Sequence, residues 1–110
     1  MEKLKNIIKV TAPLKDNDGQ RLDYSEHLKQ LAGAFGGYTV SMVGGGWISE
    51  DGTLMTDTSE RIELAYNKLT KKQQQAVKGL ICYLFEDGGQ EAVFVETRNK
   101  SYILNNSKEF

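Results

Sequence analysis

The sequence holds 14 lysine and arginine residues against 15 aspartate and glutamate in 110 residues, for a net charge of −1, with 39% apolar residues and one cysteine. That length sets a single domain, residues 1–110, around one core. The even charge balance argues against a duplex-binding basic stripe, and a lone cysteine permits no internal disulfide.

No apolar run approaches the roughly 18 residues of a membrane span. Met1-Glu2-Lys3-Leu4-Lys5-Asn6 leads into a strand-like pattern rather than a signal peptide. A cytoplasmic protein with no membrane partner is the expectation.

Ile8, Val10, Ala12 and Leu14 alternate with Lys9, Thr11 and Pro13, the period of a first strand that Pro13 ends or marks as an edge. A turn-rich loop over residues 15–19 follows. Asp23 with Glu26 reads as a capping box, and Tyr24, Leu28, Leu31, Ala32 and Phe35 form one apolar stripe, so a helix is expected with Gly36 as its left-handed cap.

A second strand is expected over residues 38–43. Gly44, Gly45 and Gly46 then interrupt it as a bulge, bend or close approach, and Trp47-Ile48 resume it before the Asp51-Gly52 turn. Residues 53–59 are polar apart from Leu54 and Met55. The third strand is placed at residues 60–66, with Ile62, Leu64 and Tyr66 inward and Arg61, Glu63 and Ala65 outward.

Thr70 and Gln73 make a second capping box, opening a helix to about residue 87 that buries Val77, Leu80, Ile81 and Leu84. The fourth strand spans residues 91–97, with either Val93, Val95 and Thr97 or Ala92, Phe94 and Glu96 facing the open side. Residues 101–104 read as a short fifth strand. The order β-α-β-β-α-β predicts an α+β, ferredoxin-like two-layer sandwich, an antiparallel sheet with both helices on one face.

The uncovered face would present Lys9, Thr11, Thr39, Ser41, Val43, Arg61, Glu63 and Ala65. It is either solvated or paired with a second copy, which would make a homodimer or higher homo-oligomer. Arg61, Glu63, Thr39 and Ser41 line one polar pocket or serve as cross-strand pairs that keep the face soluble. Asp57 with Glu63 is the carboxylate pair to test for acid–base work.

His27 stands at the edge of the first helix's stripe, as a rim residue or a general base. Cys82 falls nearly opposite the second helix's stripe with Gln75, Gly79 and Glu86, which predicts an outward thiol. Gly79 costs a helix about 1 kcal/mol, so a close neighbour is expected there. One histidine and one cysteine do not build a zinc site, and Asp16-Asn17-Asp18-Gly19 places its glycine too early for a calcium loop, so neither metal nor cofactor is expected. The glycine triplet lacks the lysine and serine or threonine of a phosphate loop, although its freed amides suit an anion.

Phe35-Gly36-Gly37-Tyr38-Thr39, Gly45-Gly46-Trp47 and Glu50-Asp51-Gly52 together resemble a group of small phage and mobile-element proteins, over roughly residues 10–66. The resemblance implies context, an inhibitor of a host defence system, and carries no catalytic residues with it.

Together these readings describe a non-enzymatic protein that binds a host protein or sequesters a small anionic ligand. Its binding residues would be Trp47, Gly44, Gly45, Gly46, Arg61, Thr39 and Ser41. The alternative is a small enzyme on the sheet face, in which Arg61 holds an anion and His27, Asp57 or Glu63 moves a proton.

Overall fold

In the computed structural model, which describes residues 1–110, the alternation Ile8, Val10, Ala12 forms strand β1 (Asn6–Pro13), with all three side chains buried. Helix α1 (Ser25–Phe35), β2 (Thr39–Ile48), β3 (Leu54–Tyr66), helix α2 (Lys71–Glu86), β4 (Val93–Glu96) and β5 (Ser101–Leu104) follow. The strands form one antiparallel sheet in the order β2-β3-β1-β4-β5. This is the expected α+β sandwich with β5 added beside β4, and no helix is long and apolar enough to cross a membrane.

Both helices pack on the face that carries Val10, Ile62, Leu64 and Val95, closing a core with Leu31, Val77, Leu80, Ile81 and Leu84. Helix α2 begins as its sequence dictates. The Thr70 hydroxyl accepts the Gln73 N–H at 3.1 Å, and the Gln73 side chain accepts the Thr70 N–H at 3.0 Å. Helix α1 starts later than expected, with Tyr24 in the capping position and no side-chain cap. Tyr24 is drawn into the core, where its hydroxyl donates to Glu60 at 3.0 Å, and Asp23 accepts the Ser25 N–H from one residue further out. Gly36 ends the helix at φ 84°, the left-handed conformation expected of it.

The larger departure is the β2–β3 hairpin. The glycine triplet does not interrupt β2: Gly44, Gly45 and Gly46 pair with Thr58, Asp57 and Thr56, and none has a positive φ. β3 likewise extends back through residues 54–59, whose composition suggests a connecting segment. Opposing side chains explain the glycines. A Cβ on Gly45 would stand 3.0 Å from Asp57 Oδ1, and one on Gly46 3.4 Å from Leu54 Cδ1. The triplet is a close approach, not a break.

Because β1 ends at Pro13, opposite Ser59, the outer half of the hairpin extends beyond the body as a two-stranded arm, and the molecule measures 51 × 27 × 25 Å. At its tip Ser49 N–H donates to Thr53 and Gly52 takes φ 84°, as a three-residue loop with a left-handed third position requires. Asp51 accepts from the Ser49 hydroxyl and the Thr53 N–H, and these bonds, the Ser49 hydroxyl foremost, hold its carboxyl down at about 2.

Candidate functional site on the open sheet face

Strand alternation turns the odd-numbered residues of β1, β2, β3 and β5, and the even-numbered residues of β4, away from the helices. Register then fixes the rows. Thr39, Glu63, Lys9, Glu96 and Ser101 lie across the sheet in one row, and Ser41, Arg61, Thr11, Phe94 and Ile103 in the next. The result is a mixed-charge band at the centre of the uncovered face. Lys9 Nζ stands 3.7 Å from Glu63 Oε1, and Arg61 Nε 3.6 Å from Glu96 Oε1.

The second pair has an unusual property. Arg61 Nε and Glu96 Oε1 are both shielded from solvent, yet neither makes a hydrogen bond. They attract each other as charges while their directional bonding capacity stays unused, and polar groups left in that state cost free energy until something binds them. Phe94 and Ile103 flank the band as exposed apolar surface.

The structure therefore gathers Thr39, Ser41, Arg61 and Glu63 on one face, as their alternation predicts. It adds Lys9 and Glu96, which sequence reasoning does not include among the site residues. Glu96 is obscured because both faces of β4 are rich in large apolar side chains. Burial decides between them: Val93 and Val95 pack in the core, which leaves Phe94 and Glu96 outside.

Asp57 shares that face but does not pair with Glu63. Six residues of extended strand separate them by about 20 Å, so acid–base work by these two carboxylates is excluded. Asp57 belongs to the arm, with Gly45 opposite it and Trp47 and Met55 paired beyond. An open groove of about 1060 Å³ runs between the arm and the residue 15–19 loop, lined by Lys15, Asn17, Gly45, Trp47, Met55 and Asp57 among others. The loop is well tied: Asp16 accepts the N–H groups of Asp18 and Gln20, and Asn17 donates to the Gly89 carbonyl at 3.2 Å.

His27 lies elsewhere. Its ring sits in the helical layer, 3.6 Å from where a Cβ on Gly79 would be and with its centroid 5.2 Å from that of Tyr83. The sheet separates it from the charged band, so the general-base role is corrected to a packing role. Gly79 has the close neighbour its position implied. Cys82 is half-buried.

No protein-family model matches this protein, and no curated protein matches it. Two solved structures share its fold. One is a phage SAM lyase in complex with S-methyl-5'-thioadenosine, 21% identical, covering 96% of this protein and 95% of that one with a TM-score of 0.66. The other is a phage SAM lyase in the apo state, 21% identical, covering 96% and 94% with a TM-score of 0.63. The likeness is one of fold. It nevertheless overturns the expectation of a non-enzymatic binder, because both of these structures, matched almost end to end, are of SAM lyases. The alternative, a small enzyme using the open sheet face, is the reading that agrees with it.

Proposed function

We propose that this protein is a lyase acting on a sulfonium nucleoside of the S-adenosylmethionine type at its open sheet face. The observation that carries the reading is the band of Lys9, Arg61, Glu63 and Glu96 on the uncovered face of a fold shared with SAM lyases. The amino-acid end of such a substrate bears a carboxylate and an ammonium side by side. A band with two cations and two carboxylates is complementary to both. The partly exposed Arg61 guanidinium and the Lys9 ammonium suit the substrate carboxylate, and Glu63 and Glu96 suit its ammonium.

S-methyl-5'-thioadenosine is S-adenosylmethionine without its four-carbon amino-acid tail. To reach it, the bond between sulfur and the tail's terminal carbon breaks and its electron pair goes to sulfur, which becomes a neutral thioether. The tail balances this either by giving a proton from the adjacent carbon to a carboxylate or by closing on its own carboxylate. Neither route needs water or an oxidant. Positioning the tail is then the protein's main task, and it is what the charged band does best. Glu63 is the group placed to take the proton in the first route.

A phage-type protein with this activity would act on its host by consuming a small metabolite in the host cytoplasm. Self-association belongs to the same proposal. Met42, Ile48 and Leu54 lie exposed on the other face of the β2–β3 hairpin, away from Trp47, and a second copy would cover them.

The test is incubation with S-adenosylmethionine followed by chromatography of the adenosine-containing products. Formation of S-methyl-5'-thioadenosine is expected, slowed roughly 10- to 100-fold in Glu63→Gln on the scale of one charged hydrogen bond. Substrate recovered intact would overturn the reading.

A further inference from the structure

We infer that the groove between the hairpin arm and the residue 15–19 loop is a purine-nucleoside subsite, with Trp47 as its stacking wall and Asp57 as its ribose-diol acceptor. The inference rests on the sulfonium-nucleoside reading for the class of ligand, and on the arm's own geometry for the place.

Three consecutive positions of β2 carry no side chain, although the strand stays regular and fully paired through them. Of the three, Gly45 lies on the same face as the indole of Trp47, which is 57% exposed, and its cross-strand partner Met55. The exposed indole is a platform on which a planar ring stacks, and the missing Cβ of Gly45 leaves the space beside it to the Asp57 carboxylate. The Asp57 carboxylate leans over Gly45 and is engaged by no cation, so both of its oxygens are free to accept. A carboxylate accepts two hydrogen bonds side by side, which suits the adjacent hydroxyls of a ribose.

Asp57 and Arg61 share one face of β3 at a separation of about 13 Å. The charged band is therefore within reach of the 5' substituent of a nucleoside seated at Trp47 and Asp57. The groove, about 1060 Å³ in all, is lined by Leu54 and Thr56 as well as by Trp47, Met55 and Asp57, and it has room for a nucleoside.

Trp47 is the only tryptophan, so its emission reports this site alone. The probe is adenosine, which has neither sulfonium nor amino-acid tail, and turnover of S-adenosylmethionine is scored in parallel. Adenosine is expected to quench Trp47 saturably. 2',3'-Dideoxyadenosine should bind about tenfold or more weakly to the native protein, as one charged hydrogen bond implies, yet no more weakly than adenosine to Asp57→Asn. By calorimetry, Trp47→Leu should lose about tenfold or more, the scale of one stacked base. Emission unchanged at the solubility limit of adenosine, with S-adenosylmethionine still cleaved, would overturn the subsite and leave the lyase standing. Adenosine binding with the expected dependence on the diol and Asp57, but with S-adenosylmethionine intact, would keep the subsite and remove the lyase. Because the dideoxy comparison needs no substitution, a variant that fails to fold does not void the test.

Discussion

Replacing Arg61 with methionine separates what the charged band does for the fold from what it does for a ligand. The Arg61–Glu96 pair is 3.6 Å long, with side chains 35% and 27% exposed. Coulomb attraction at that distance is about 1 kcal/mol in water and about 4–5 kcal/mol at an effective dielectric of 20. Desolvation and screening remove most of the larger figure, and pairs between side chains this exposed contribute about 1 kcal/mol or less, even with the two facing atoms shielded. Methionine preserves much of the aliphatic packing, so Arg61→Met should cost about 1 kcal/mol. In a domain of this size that lowers Tm by roughly 4–8 °C. In 1 M salt, where the screening length is about 3 Å, most of the difference should vanish. Turnover should respond differently. Loss of a charged donor to the substrate carboxylate removes about 1.5–3 kcal/mol of binding, or roughly 10- to 100-fold in kcat/KM. The assays are thermal melts at two salt concentrations and thioadenosine formation at each. Wild-type turnover in Arg61→Met would refute the band as the site. A loss above about 3 kcal/mol would refute the screened-pair argument.

Thr70→Ala removes the hydroxyl that accepts from Gln73 N–H, and should cost about 1 kcal/mol by chemical denaturation with turnover unchanged. His27→Ala should leave turnover within about twofold, since the ring packs against Gly79 and Tyr83 on the far side of the sheet; a larger loss would return His27 to the chemistry. Asp51 titrates lower in the folded arm than its ordinary value of 3.8. Its stabilising contribution is therefore complete above pH 3.8 and is lost as pH falls towards about 2. Carboxyl chemical shifts of Asp51 should follow that window, and a midpoint near 3.8 in the folded protein would refute it.

Helix α2 is legible in the sequence because each local signal agrees: the Thr70–Gln73 box, an unbroken apolar stripe, and the Asp87-Gly88 end. β1 is legible for the same reason, its alternation being enforced by burial on one face. The arm is not. Residues 53–59 are polar because most of their side chains face solvent on either side of the sheet, and such a strand has no inside and outside for composition to record. The glycines argue against a strand on local propensity, whereas cross-strand pairing with β3 is a long-range property that overrides it. The charged band is half legible. Arg61 and Glu63 announce themselves by their period of two, but Glu96 joins them only once Val95 is seen to pair with Val10 on the buried face of the sheet. Asp57 and Glu63 look like partners on a compact strand, and lose that relation on a strand 13 residues long.

That long strand ties the chemistry to arithmetic. Inserting or deleting one residue between Asp57 and Arg61 would leave in place every core side chain that follows the change. It would turn the outer half of β3 over, sending Asp57 and Met55 to the opposite side from Arg61 and Glu63. Only changes of even length keep both ends on one surface, and even these slide one end along the other by two residues at a time. Related proteins built on this plan should therefore vary freely at the arm's tip and in the loop facing it, while the stretch from 57 to 61 changes by substitution and not by length.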